Sequence, residues 1–107
     1  TPEEFVDIVK LHDRFVRGMG GGPILLQNLS NLRLPKINFQ NATLAGANLS
    51  RSVLTQANFV SADLYGANLQ STDAQGADFY RADLRGAQSH GAKLQNANLR
   101  EADLRPG

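Results

Sequence analysis

From Leu29 to Leu104 every fifth residue is large and apolar: fourteen of these sixteen positions are Leu or Phe, and only Ala74 and Ser89 break the series. Two residues before each stands a second series, mostly Ala, with Gln27, Leu32, Ile37, Ser52 and Thr72 as the exceptions. The residue between them is usually Asn or Asp. A period of five suits no continuous helix, because steps of ~100° would smear the apolar residues around every side. It suits no straight strand either, because an odd spacing sends successive residues to opposite faces. Within one unit, however, Ala, Asp and Leu alternate in, out, in, which is strand alternation over three residues. Two outward residues follow and the pattern restarts. It predicts a short extended segment and a corner, repeated, with Ala and Leu always facing one axis. That is an all-β solenoid over residues 27–106.

A second period gives the number of sides. Phe39, Phe59 and Phe79 recur every twenty residues, as do Gly46, Gly66 and Gly86, and Asp63, Asp83 and Asp103. Twenty residues are four units, so a four-sided coil stacks like on like. The three Phe form a core ladder, the glycines a line of corners, and the aspartates an outer column. A three-sided coil would scatter all three sets. Ordering five residues costs ~1–2 kcal/mol each in backbone entropy, and burying one Leu returns only ~1.5–3 kcal/mol. Stability therefore belongs to the stacked array.

The units "ANLSR", "ADLYG", "ANLQS", "ADFYR" and "ADLRG" resemble the A-(D/N)-L-x-x motif of the pentapeptide repeat family. The resemblance covers residues 27–106 without an insertion. It implies a right-handed, quadrilateral β-helix of about four coils, roughly 19 Å tall at ~4.8 Å per coil.

Residues 1–19 follow a helical period instead. Phe5, Ile8, Val9, His12, Phe15, Val16 and Met19 share one face, and most of the charged residues fall outside it. Thr1 and Glu4 form a capping box, with Pro2 at the first helical position. The expectation is an N-terminal amphipathic α-helix over 1–19 that caps the first coil, joined through a Gly-rich segment over 20–26. The mixed, slightly acidic polar face disfavours a membrane-surface helix.

The chain of 107 residues carries 11 basic and 10 acidic side chains, a formal charge of +1, and no Cys. That excludes disulfides and thiolate metal sites and gives no strong field for nucleic acid. No apolar run reaches the ~20 residues of a bilayer span, and no signal peptide is visible, so a cytoplasmic location is expected. Thr1 stands where a Met would start the chain, and the chain is read as trimmed or excised from something longer.

Candidate chemistry is sparse. A filled solenoid without loops offers no pocket with convergent groups, and His12 and His90 lie in different segments. Ser89 and His90 are neighbours, but alternation points Ser89 inward and His90 outward. The spaced aspartates lack the Gly-Gly-x-Gly-x-Asp pattern of calcium repeats, so each is expected to bond backbone at a corner or an Arg of the next coil. No catalytic residue, cofactor or metal ligand is assigned, and the chain is read as no enzyme. Ser89 is read as a locally loosened core position near the C-terminal end.

The outer surface says more. Tyr65, Tyr80, Arg81, Arg85, Arg100 and Arg105 cluster on two adjacent faces toward the C-terminal coils, and Tyr and Arg are enriched at interfaces. The Asp column beside them argues for mutual neutralisation and against nucleic acid. The leading reading is a non-enzymatic protein–protein interaction or scaffold module presenting flat, rigid β faces, as part of a larger protein. The alternative, implied by the family resemblance, is a DNA mimic that inhibits or protects a type II topoisomerase such as gyrase. Mimicry needs an anionic surface, whereas these repeats carry eight basic against six acidic residues. At the far end Leu94, Leu99 and Leu104 are expected to leave the axis partly open. Either an end-to-end homodimer through the C-terminal coil or a continuation into further sequence would close it.

Overall fold

The computed structural model describes residues 28–107, so the expected capping helix over 1–19, the joint over 20–26 and Gln27 lie outside the described residues. The rest is a column of four coils: 28–46, 47–66, 67–86 and 87–106. Twelve parallel bridges join it, from Asn28↔Asn48 to Asp83↔Asp103, and each pairs a residue with the one twenty positions later. The period of twenty read from Phe, Gly and Asp is thus the pairing register of the backbone. Each coil has four sides, centred in the first coil on positions 28, 33, 38 and 43. They are called sides 1 to 4 below.

Each side holds only one bridging residue, because the chain turns again after three extended residues. The turn closes locally: Ile37 N–H donates to the Leu34 carbonyl at 3.2 Å, and Ala42 N–H to that of Phe39 at 3.0 Å. The second outward residue of each turn has positive φ, as a type II turn requires. Five of these residues are Gly and ten are not, Asn31, Lys36, Arg51, Ser61 and Arg81 among them, with φ between 57° and 63°. A non-Gly residue in this region costs ~1–2 kcal/mol. The turns therefore persist through what they allow: two inward side chains per side and a ladder bond at every unit. Leu34 N–H reaches Val53 C=O at 2.7 Å, and Val53 N–H reaches Leu32 C=O at 2.8 Å.

The interior is two nested columns. Leu and Phe at the centre are buried from Leu29 to Leu84, flanked by buried Ala47, Ala57, Ala62, Ala67, Ala77 and Ala82. The Phe ladder forms as expected. Phe39 and Phe59 centroids lie 5.5 Å apart with rings tilted by 33°, and Phe59 and Phe79 stack at 4.9 Å. Two of the Ala-series exceptions are buried hydroxyls with partners. Ser52 Oγ donates to Leu29 C=O at 2.5 Å and accepts Leu32 N–H at 3.0 Å, which puts it inside the turn of the coil below. Thr72 Oγ1 donates to Leu69 C=O at 2.9 Å. A buried hydroxyl left without partners would cost several times what it gains when bonded.

Candidate interaction surface

The outward Asn/Asp column does a backbone job first. At each turn one N–H, two residues after the bridging position, points away from the ladder. The side-chain oxygen of the bridging Asn or Asp accepts it: Asn58 takes Val60 N–H at 2.9 Å, Asp78 takes Tyr80 N–H at 3.0 Å, and Asp83 takes Arg85 N–H at 3.1 Å. This is the Asx-turn chemistry of those residue types. It explains why eleven of the sixteen positions between the Ala and Leu series are Asn or Asp. It also fixes each carboxylate at the foot of the next outward side chain.

At the corner after side 4, the first turn residues Tyr65, Arg85 and Arg105 stack in one column beside Asp63, Asp83 and Asp103. Arg85 is held from three directions. Its guanidinium makes two bonds to Asp83, Nε to Oδ1 at 2.9 Å and Nη2 to Oδ2 at 2.7 Å. It also lies 3.9 Å from Asp103 of the coil above and 5.1 Å from the Tyr65 ring centroid of the coil below. Arg105 repeats the two-bond grip on Asp103 at 2.9 and 2.7 Å. The hydrogen bonds from Arg105 hold the Asp103 carboxyl down at about 2, against its ordinary 3.8. Those from Arg85 lower Asp83 in the same way.

At the preceding corner Tyr80 Oη donates to Glu101 Oε2 at 3.0 Å, Arg81 Nε donates to Glu101 Oε1 at 3.3 Å, and the Arg81 guanidinium sits 5.2 Å from the Tyr80 ring centroid. Arg100 anchors its N–H on Asn98 Oδ1 at 3.1 Å, and its guanidinium makes no ion pair among the described residues. The six residues singled out from sequence thus fall into two constellations on adjacent corners. Glu101 was missing from that set. The signal was available, because Glu101 follows Arg81 by one period of twenty and so lies directly above it. With Glu101 included, three of the four Arg are paired with carboxylates, and Arg81 and Arg85 also lie over Tyr rings. Its most exposed side chains include Arg105 at 73% and Arg81 at 60%, with Tyr65 at 43%.

Ser89 and His90 are both exposed, and no hydrogen bond joins their side chains. Ser89 stacks over Leu69, through the Asn68↔Gln88 bridge, at the rim of an opening of about 310 Å³ in the C-terminal end. The opening reaches past the last coil to Leu69, Ala74 and Phe79, so both breaks in the Leu/Phe series deepen it. Its wall is apolar apart from Ser89 and Thr72, and it holds no titratable group. Among the described residues no cluster of three His, Cys, Asp or Glu could hold a metal ion, and no helix is long and apolar enough to cross a membrane.

The profile of pentapeptide repeats matches in eight copies, over residues 33–70 and 62–105. The chain belongs to the pentapeptide repeat family. None of the curated proteins matches it. Among solved structures, this pentapeptide repeat protein is similar to Rfr23 from the cyanobacterium Cyanothece 51142, with 26% identity, 71% of this chain and 82% of that chain covered, and a TM-score of 0.51. A pentapeptide repeat protein of the Arabidopsis thaliana thylakoid lumen is 28% identical over 77% of this chain and 69% of that one, with a TM-score of 0.49. HetL, a protein involved in heterocyst differentiation regulation in Nostoc sp. strain PCC 7120, is 27% identical over 70% of this chain and 44% of its own, with a TM-score of 0.38. The architecture is the family's right-handed quadrilateral β-helix. Members of the family are in general non-catalytic structural or interaction proteins.

Proposed function

We propose that this pentapeptide repeat protein is a non-enzymatic interaction module, and that its corner columns after sides 3 and 4 are the contact surface. The observation that supports this is the double anchoring of Arg85. Its guanidinium is gripped by Asp83 at 2.7 Å and packed over the Tyr65 ring at 5.1 Å, so an interface-prone side chain is held in one conformation before any partner arrives. Pre-ordering removes part of the ~0.5–1.5 kcal/mol entropic cost of immobilising such a side chain on binding. Tyr80, Arg81 and Glu101 repeat the device one corner away. The pairing of Asp83, Glu101 and Asp103 with Arg works against DNA mimicry, which needs anionic columns free of cations. A protein partner with its own mixed charges and an aromatic-accepting groove suits the surface better.

The test is affinity capture from native lysate with the wild type, Arg85→Glu and Tyr80→Ala, folding being verified by circular dichroism. Specific partners retained by the wild type and lost in both variants are expected. An identical captured set from all three would overturn the assignment. A supercoiling assay checks the alternative, with no effect on gyrase expected at micromolar protein.

A further inference from the structure

All eleven Asn and Asp residues at the bridging positions accept the outward N–H two residues on, at 2.9 to 3.3 Å. Five bridging positions break that rule, and three of them, Arg33, Val53 and Lys93, stand on side 2. Arg33 is followed by Pro35, which has no N–H to satisfy. Val53 carries no acceptor, so the N–H of Thr55 donates to no protein group among the described residues. Lys93 cannot accept either and leaves the N–H of Gln95 in the same state two coils above. The corner after side 2 thus presents a backbone donor that an Asn or Asp oxygen covers elsewhere.

Charge is sorted along the same line. Side 2 and its two flanking corners hold four cations, Arg33, Lys36, Arg51 and Lys93, against one carboxylate, Asp73, a net +3. The rest of the column holds four Arg against five carboxylates, a net −1. Three of the four cations surround Thr55. Arg33 bridges to Val53 from the coil below, Lys36 N–H donates to Thr55 C=O at 2.8 Å, and Arg51 precedes Val53 by two residues. The backbones of Lys36 and Arg51 each lie within about 12 Å of that of Arg33. All three side chains are exposed and make no ion pair among the described residues. The one carboxylate of this flank, Asp73, sits a coil above Val53 with its Oδ1 taken up by the Gln75 N–H and Nε2. An unpaired backbone N–H ringed by cations suits a carboxylate, whose bonds to such donors are charge-assisted.

We propose that this flank docks an acidic segment of a protein partner. One carboxylate of the segment takes the Thr55 N–H in place of the missing Asn or Asp oxygen, and Arg33, Lys36 and Arg51 pair with it and with its neighbours. The surface lies opposite the corner columns after sides 3 and 4, and each of the two stands or falls alone. An acidic polypeptide fits better than nucleic acid. Both Tyr side chains stand on the other corners, so among the described residues no ring on this flank can stack a base, and three clustered cations neutralise few phosphates.

Fluorescence anisotropy of the full chain with a labelled eight-residue peptide of alternating Glu and Ser tests this. Saturable binding that weakens as salt rises is expected. Arg33→Gln weakens it about two- to fivefold. Val53→Asn leaves the net charge unchanged and supplies the oxygen that caps the Thr55 N–H, as Asn58 does for Val60. It weakens binding by a similar factor with circular dichroism unchanged, since Asn holds this position in six other units. Gln88→Glu makes the same charge change as Arg33→Gln on side 1, two coils above Arg51 and beyond a Debye length of about 8 Å, so it leaves binding within about twofold. No binding at millimolar peptide, equal losses from Arg33→Gln and Gln88→Glu, indifference to Val53→Asn, or tighter binding of a single-stranded oligonucleotide with as many phosphates as the peptide has Glu overturns the proposal.

Discussion

Truncating Phe59 probes the principle on which the column rests. Phe59 is fully buried and is the middle rung of the ladder, 5.5 Å from Phe39 and 4.9 Å from Phe79. Phe59→Ala removes a buried side chain worth about 1.5–3 kcal/mol and two ring contacts worth about 0.5–1.5 kcal/mol each. The sum, about 2.5–6 kcal/mol, agrees with the ~3–5 kcal/mol typical of Phe→Ala in cores that cannot collapse. Collapse is resisted here because ladder bonds of 2.7 Å above and below Phe59 fix the coil spacing. Phe59→Leu keeps most of the apolar area and loses chiefly the ring contacts, so its cost is about half. In a one-dimensional array each coil depends on its neighbours. The Ala variant should therefore uncouple the first coil from the last two and flatten the urea transition, with a lower m-value. Urea denaturation followed by circular dichroism measures both quantities, with Leu104→Ala at the exposed end as the comparison, expected below about 1 kcal/mol. Equal losses for Phe59→Ala and Leu104→Ala would refute the idea that stability is concentrated in the stacked middle.

Three further outcomes are expected. Asp103, held at about 2 by Arg105, has a folded-state value below its unfolded one. Its contribution to stability is therefore present above about pH 4 and is lost as pH falls through 2; carboxyl NMR should give that midpoint, and Arg105→Gln should move it up toward 3.8. Gly46 has φ of +71° and open space where a Cβ would go, so Gly46→Ala should cost about 1 kcal/mol from backbone strain alone, and Gly46→Asn less, because Asn occupies the same turn position at 31, 41 and 96; a neutral Ala variant in thermal melts would contradict the strain. Ser89→Leu should leave the melting temperature unchanged or raise it, because the side chain enters an existing opening, and a clear loss of stability would mean that the site is already filled.

Much of the column was legible in advance because its rules are local and repeated. The Leu/Phe and Ala series gave the inward positions, and the recurrence of Phe39, Phe59 and Phe79 gave the number of sides, since a stacked coil converts a sequence period directly into a spatial neighbour. The candidate surface was only half legible. Tyr65, Tyr80 and four Arg were visible as interface-prone residue types, but Glu101 was overlooked between them, and it turns the basic cluster into a balanced one. Ser52 looked like a lapse in the Ala series; its hydroxyl is in fact a working part of the turn below it.

The sequence by itself determined a four-sided stack of units of five and the ladder at its centre, because burial demands that one periodic face stay inward. Only the tertiary structure decided what each outward side chain does. Arg85 is locked because three groups from three coils meet on it, and ten non-Gly residues hold left-handed turns because the ladder on either side leaves no other path. Position 106, next in the series of left-handed corners that runs from Asn31 to Glu101, is a proline, whose ring forbids that φ. Contacts between coils form only when residues twenty apart meet, and their energies depend on geometry that composition and period do not contain.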